Sequence, residues 1–387
     1  MLKNSLILFF VVTVIFSTIY TPQAILPMLQ EEFHISMAQT NLLLSGMLFV
    51  LMFITPFYAL VANRFEKKKI MMVAIFFLFL SVLLSALATS YYGLLLSRLM
   101  QGIFIPGITA IMLSYIQEIY PQKHRGLGMG IYMAATGFGA VVGRLLAGWI
   151  TYFYSYQEAF GLFSLLLLLA LTVMAWGLPT TLLATNFKVK HYQDSIWKYL
   201  KKPKISSLLL IPMVVFFSFM AMTTFITYHL AEAPFLLTSY ELGNMFLILL
   251  LAVIISPIAG KLSDRFGRVK ILLFGITSLI VGIILTLSSS VLWIVIGIGF
   301  VTIGMFIVQS VTPTYLGDLV PEDRARVGTL YQTFFYLGGA MGTLLPAIAW
   351  GFGEYNGVVM LCLGILFLGI SPLMYINMEC QYMKKHL

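Results

Sequence analysis

Two arginines, Arg98 and Arg144, stand inside long apolar runs of a chain that places no Asp or Glu well inside any such run. A guanidinium presents five N–H donors in a fixed planar fork that matches a carboxylate or a phosphate, so interior arginines without interior acids point to recognition of an anion. A bland reading competes with it. A long side chain near a run's end can carry its charge to the headgroups, and each guanidinium can instead be satisfied by backbone carbonyls or by Glu232. Gln101, three residues beyond Arg98 and so on the same helix face, favours a polar cavity for Arg98. His229 and Glu232 are the nearest approach to a titratable pair, at the end of a run where a solvated helix terminus also explains them. No run carries a Ser/His/acid set or a His-rich cluster, no Walker loop is present, and Cys362 and Cys380 are too few for a metal site. The chemistry on offer is binding: no enzyme, metal or cofactor is expected.

The elements that must position these residues follow from composition. Of 387 residues 60% are hydrophobic and 10% charged, whereas a soluble globule is charged at about a quarter of its positions. A hydrocarbon core about 30 Å thick needs roughly 20 apolar residues per helix, and the chain offers twelve such runs separated by short polar breaks. An all-α polytopic membrane protein with 12 transmembrane helices is expected, with the lipid bilayer as its solvent. The first run, about residues 5 to 27, follows Lys3 like a signal peptide but shows no small-x-small cleavage site, so it reads as the first span.

The net charge of +9 is not spread evenly. Of 23 Lys and Arg, 21 lie in the N-terminus, the even-to-odd loops and the C-terminal tail, while Glu31, Glu32, Glu158, Glu232, Glu241 and Glu354 mark the odd-to-even loops. By the positive-inside rule both termini are cytoplasmic and the span count is even. The charge reports orientation and leaves no nucleic-acid footprint.

Several spans carry polar clusters unlike lipid-facing helix. Span 1 holds Ser17, Thr18, Tyr20, Thr21 and Gln23 with Pro22 and Pro27, which reads as cavity lining, the alternative being a kinked packing helix held by Thr–backbone bonds. Span 5 carries Gly130, Gly139, Gly143, Ala147 and Gly148, small residues that let helix backbones approach. Span 7 ends in Thr223, Thr224, Thr227 and Tyr228; span 10 holds Gln309, Ser310 and Thr312. Span 11 offers Tyr331, Gln332, Phe334, Phe335 and Tyr336, an aromatic wall suited to flat amphipathic compounds. The one long break, 184–204, is basic, and Tyr192, Ile196, Tyr199 and Leu200 could lay a short helix on anionic headgroups or belong to a solvated tether.

The chain also repeats itself. Gly260-Lys-Leu-Ser-Asp264-Arg265-Phe-Gly267-Arg268-Val-Lys270 has a degraded copy 201 residues upstream, from Ala59 to Lys69, with Asn63 in place of Asp264 and Glu66 in place of Gly267. Glu118, Pro121 and Arg125 return as Asp318, Pro321 and Arg326 at an offset of 200 to 201. Such a repeat suits two parallel bundles of six spans. The loop's residue order resembles the signature loop between the second and third helices of each half of major facilitator superfamily transporters. Arg98-Leu-Met-Gln101-Gly102 is similar to that family's fourth-helix motif. The span 5 glycine spacing resembles the fifth-helix motif of its antiporters, with Arg144 where that motif has Pro and Ala147 where it has Gly.

The resemblance covers nearly the whole chain and implies the facilitator fold: two pseudo-symmetric six-helix bundles, 1–183 and 205–387, joined by the cytoplasmic linker 184–204. It further implies a conformational latch on the cytoplasmic side, where Asp264 approaches the start of span 11 and Arg268 reaches Asp318, flanked by Arg265 and Arg326. Asn63, Arg64, Lys67, Glu118 and Arg125 hold the matching positions of the first half, and Asn63 cannot supply the charge, so that latch is the weaker. The substrate and proton cavity is expected to draw on Tyr20, Gln23, Arg98, Gln101, Arg144, Thr227, Tyr228, Gln309, Gln332 and Tyr336. The function implied is secondary active transport by alternating access in a bacterial inner membrane. The drug:proton antiporter branch is the most similar, which makes the proton gradient the energy source and efflux of a small organic or amphipathic compound the task, performed by a monomer. Uptake or exchange of a small organic anion is the alternative, and a non-transporting receptor or lipid-binding scaffold is the alternative of another class. Exporters of cationic drugs commonly carry an interior carboxylate, so its absence favours anionic or neutral substrates.

Overall fold

In lipid every backbone N–H and C=O must be satisfied within its own segment or by a neighbour, which makes a long apolar run a helix. The computed structural model describes residues 2–61, 64–180, 198–320 and 324–385, with side chains described except at 59–60, 123, 324–326 and beyond 369. Asn63, Pro321, the linker positions Tyr192 and Ile196, and the side chains of Arg326 and Cys380 therefore lie outside the described residues.

The described residues are almost all helical and include no strand. Among the described residues, eleven helical segments, some of them broken by a turn, are long and apolar enough to cross a membrane. A further one, Arg324–Leu344, is diluted by Arg324, Arg326, Gln332, its threonines and Gly328, Gly338, Gly339 and Gly342. In chain order the helices are α1 Leu2–Tyr20, α2 Leu26–Phe33, α3 Met37–Val61, α4 Lys67–Leu87, α5 Tyr91–Phe104, α6 Pro106–Ile119, α7 Arg125–Phe153 and α8 Tyr156–Gly177. There follow α9 Pro203–Ala231, α10 Ser239–Met245, α11 Leu251–Phe266, α12 Arg268–Leu285, α13 Val291–Leu319, α14 Arg324–Leu344 and α15 Pro346–Lys385. The last is interrupted at Gly353 and Glu354, whose dihedrals are not helical.

Prolines cut spans into pieces without ending them. Pro22 lies in a 3₁₀ turn, Thr21–Ile25, between α1 and α2, and Pro27 sits in the first turn of α2, where its missing N–H would be unpaired in any helix. Span 1 therefore continues to Phe33, beyond the end near Pro27 that its prolines suggest, and stops at His34 in a left-handed cap (φ 52°). Span 4 is divided the same way at Pro106. Gly267 adopts φ 95°, a region closed to residues with a Cβ except at a cost, and this lets α12 start directly after α11. Glu66, its counterpart, takes φ −60° instead, so the two copies of the loop turn differently.

The chain forms two compact units, one of Met1–Phe187 with Ile226–Val253 and one of Lys188–Phe225 with Ile254–Leu387. In the first, α1 packs on α7 and α8, α4 on α8, and α3 on α5, while α10 joins α7. In the second, the principal pairs are α12 with α13, α12 with α15, and α13 with α14.

Candidate functional site

Arg98 and Arg144 are both fully buried in the first unit, and their environments differ. Pro22 has no N–H to offer the carbonyl of Thr18, four residues before it, so α1 carries an acceptor that its own helix cannot satisfy. Arg98 supplies the donor: its Nη1 reaches Thr18 O at 2.8 Å and Gln101 Oε1 at 2.5 Å, Nη2 reaches Ile19 O at 2.8 Å, and Nε reaches Leu43 O at 3.0 Å. Gln101 passes the chain on, donating to Ser85 Oγ at 2.8 Å. The guanidinium thus pins α1, α3 and α5 together, and four of its five N–H groups are used on the protein itself.

Arg144 is placed by two close helix approaches. A Cβ added at Gly139 would stand 2.5 Å from the carbonyl oxygen of Thr13, and one at Gly143 would overlap the Ser17 backbone, so α1 and α7 meet here only because glycine holds both positions. Ser17 fastens the seam, its Oγ donating to Gly139 O at 3.0 Å. On the other flank a Cβ at Gly148 would come within 3.0 Å of Gly243 Cα in α10. Between these contacts Arg144 donates from Nε to Gln23 Oε1 at 2.7 Å and from Nη1 to Ala140 O at 2.6 Å. Its Cζ lies 4.1 Å from the Tyr20 ring centroid and 5.0 Å from that of Phe246. Nη2 is buried and has no partner.

The energetics of this arrangement are unbalanced. Ring faces return about 0.5–2 kcal/mol each to a cation, and a buried donor without an acceptor costs about 1–3 kcal/mol, more when charged. No ion pair to Arg144 exists among the described residues. Arg144 is a desolvated positive charge with aromatic rings against it and one buried guanidinium nitrogen, Nη2, unpaired.

The polar cluster of span 1 divides accordingly. Thr18 and Thr21 turn their hydroxyls to backbone carbonyls of α1 at 2.7 and 2.8 Å, and Ser17 shares its one hydroxyl hydrogen between Thr13 O at 2.8 Å and Gly139 O, while Tyr20 and Gln23 serve Arg144. Thr227 and Tyr228 are buried in the same unit, and the Tyr228 hydroxyl donates to Asn41 Oδ1 at 2.9 Å. In the second unit, Gln309 accepts through its carbonyl from the Tyr331 hydroxyl at 3.4 Å, Gln332 is half-buried, and Tyr336 stands edge-on to Phe335 at 5.5 Å. Phe335 in turn stacks on Phe216 at 3.9 Å. Asn41, Phe246 and the Trp149–Asn244 bond of 2.8 Å were not legible as site features, Phe246 least of all among thirty-one phenylalanines.

The latch residues fall into two ion-pair sets, one in each unit. Arg268 bonds Asp264 Oδ1 at 2.7 Å and Ser263 Oγ at 2.6 Å through Nη1, and Asp318 Oδ2 through Nη2 at 3.2 Å and Nε at 3.3 Å. Lys67 pairs with Glu118 in the equivalent place. Arg64 and Arg125 are exposed, and Arg265 lies 5.3 Å over the ring of Phe266. Lys68, the neighbour of Lys67, is buried and donates to Ala175 O and Leu178 O at 2.8 and 2.7 Å, placing a cation where the C-terminal dipole of α8 favours one.

The family model described as Major Facilitator Superfamily matches residues 8–343 and 233–379. YybF, an MFS-type transporter of Bacillus subtilis (strain 168), is 26% identical over 89% of this chain and 86% of its own length. The inner membrane transport protein YnfM of Escherichia coli (strain K12) is 26% identical over 89% of this chain and 83% of its own. Among solved structures, a bacterial homologue of the human lysosomal transporter Spinster, inward-facing and occupied, superposes with a TM-score of 0.77 at 17% identity, covering 98% of this chain and 96% of that one.

Proposed function

The chain belongs to the Major Facilitator Superfamily and is a membrane transporter of that type, not an enzyme; from this premise we propose that it exports a small amphipathic organic compound by proton-coupled alternating access. The observation that carries the reading is the glycine seam of α7, whose Gly139 and Gly143 lie against α1 and whose Gly148 lies against α10. A seam without side chains can open and close as a unit, and its spacing resembles that of the family's antiporters.

The latches support the cycle. Asp264 and Asp318 keep 67% and 51% of their side-chain surface exposed, and ion pairs so placed contribute about 0–1 kcal/mol. Contacts of that size can break and reform with water, leaving two states close in free energy, as alternating access requires. In this reading 1–183 and 205–387 are the moving bundles, the basic linker and both termini are cytoplasmic, and a monomer works in a bacterial inner membrane.

Exchange or uptake of an organic anion is the second reading, favoured by the incompletely compensated Arg144. Energetics separate the directions. An inside-negative potential is worth about 2.3 kcal/mol per charge per 100 mV, so one monovalent anion out for one proton in gains about twice that, whereas uptake of the same anion with one proton moves no net charge and gains nothing from it. Export is therefore the reading adopted. The test uses purified protein in liposomes loaded with labelled amphipathic compounds. Release should quicken when the outside is acidified and slow when a protonophore collapses the gradient. Release indifferent to the gradient, or equal to that of protein-free liposomes, refutes coupling or transport respectively.

A further inference from the structure

We propose that Arg144 is an oxyanion receptor and that the compound carried is an organic carboxylate whose apolar body lies against Tyr20 and Phe246; this rests on the transport reading above. Three observations converge on it. The guanidinium is 0% exposed and yet Nη2, with its two N–H groups, has no acceptor, while Nε and Nη1 are held in place by Gln23 Oε1 and Ala140 O. A side chain fixed at two nitrogens and vacant at the third is oriented for a ligand. The second observation is charge. Arg98, equally buried, spends its donors on Thr18, Ile19, Leu43 and Gln101, so the two interior arginines are not a joint site and a single positive charge awaits neutralisation. One charge suits a monoanion better than a dianion. The third is the rings: with Tyr20 at 4.1 Å and Phe246 at 5.0 Å, the surroundings of the guanidinium are aromatic, which suits an organic acid better than a small hydrated inorganic ion.

The recognition is charge-assisted hydrogen bonding from a pre-oriented fork, and lysine cannot reproduce it, because an ammonium is a point charge without the planar donors. Phe246 belongs to the 226–253 segment and Tyr20 to the first span, so the ligand would be gripped by residues from both sequence repeats within one compact unit.

The shared chemistry, an oxyanion, has three sources: a carboxylic acid, inorganic phosphate, and the phosphodiester of an anionic lipid. The test measures thermal unfolding of the purified full chain in a non-ionic detergent with benzoate, phenylacetate and hexanoate, with their amides, with their ammonium analogues, with inorganic phosphate, and with added phosphatidylglycerol. At least one acid is expected to raise the unfolding midpoint saturably, its amide and amine are not, and Arg144→Gln should weaken the acid's apparent affinity at least about tenfold. Arg144→Lys should fall between the two. Should Arg144→Gln fail to insert, the comparison of acid with amide on the wild-type protein decides alone. Amides as effective as acids, no response to any acid, an acid response untouched by Arg144→Gln, or a response to phosphate or phosphatidylglycerol only would each overturn the proposal. Proton-driven release of the neutral amides in liposomes would overturn it while leaving transport standing; acid binding without any flux would do the reverse.

Discussion

Arg98 and Arg144 look alike in the sequence and should respond very differently to the same substitution. Arg98→Met keeps volume and removes the donors to Thr18, Ile19 and Leu43. Thr18 O is the acceptor that Pro22 has already deprived of a helical partner, so its loss of Arg98 leaves a buried carbonyl bare, at about 1–3 kcal/mol. The other two carbonyls lose a donor each, at about 0.5–1.5 kcal/mol. The total, on the order of 2–6 kcal/mol, is a large part of the 5–15 kcal/mol by which proteins are typically stable. Arg144→Met takes one donor each from Gln23 Oε1 and Ala140 O, a loss that removing an incompletely compensated buried charge offsets, so its net effect on stability should be under about 1 kcal/mol in either direction. Thermal unfolding of both variants in detergent checks this, with Arg98→Met expected to melt about 2–7 °C below wild type. Equal midpoints for the two, or Arg144→Met as the more damaged, would refute the assignment of Arg98 as a pin and Arg144 as a site.

Other consequences can be read in the same samples. Asp264→Asn should leave the melting midpoint nearly unchanged, since Asp264 is 67% exposed, yet reduce transport and shift the label-to-label distance across the basic-loop rim; an unchanged distance counts against the latch. Gly139→Val should force α1 from α7, at about 1–3 kcal/mol, and abolish transport even where the protein still inserts; normal flux would show the seam to be incidental. Cysteines at Glu158 and Glu354, introduced after Cys362 and Cys380 are replaced, should react with an impermeant thiol reagent from outside intact cells. Labelling only after lysis would invert the topology.

The fold was legible because lipid leaves a long apolar run little choice but helix, and because the loop at Asp264 and its copy at Asn63 gave the repeat. Helix ends were less so. Pro27 reads as a stop, but in the first turn of α2 a proline is harmless, and span 1 runs on to Phe33. The interior arginines were visible as isolated charges, and their difference was not. Arg98 is satisfied by backbone carbonyls, which every residue possesses, so the sole clue was Pro22 removing a donor four residues after Thr18. The cover over Arg144 comes from Phe246, about a hundred positions away in sequence and chemically indistinct from its neighbours, so only packing could reveal it.

The central claim, proton-coupled export of an organic compound, is tested most directly by trapping a pH-sensitive dye inside liposomes that carry the purified protein. Adding a transported compound on one side should move protons in the opposite direction, at a rate that saturates with the compound and disappears with a protonophore. A compound that crosses the membrane through the protein with no accompanying proton movement at any concentration would contradict the account.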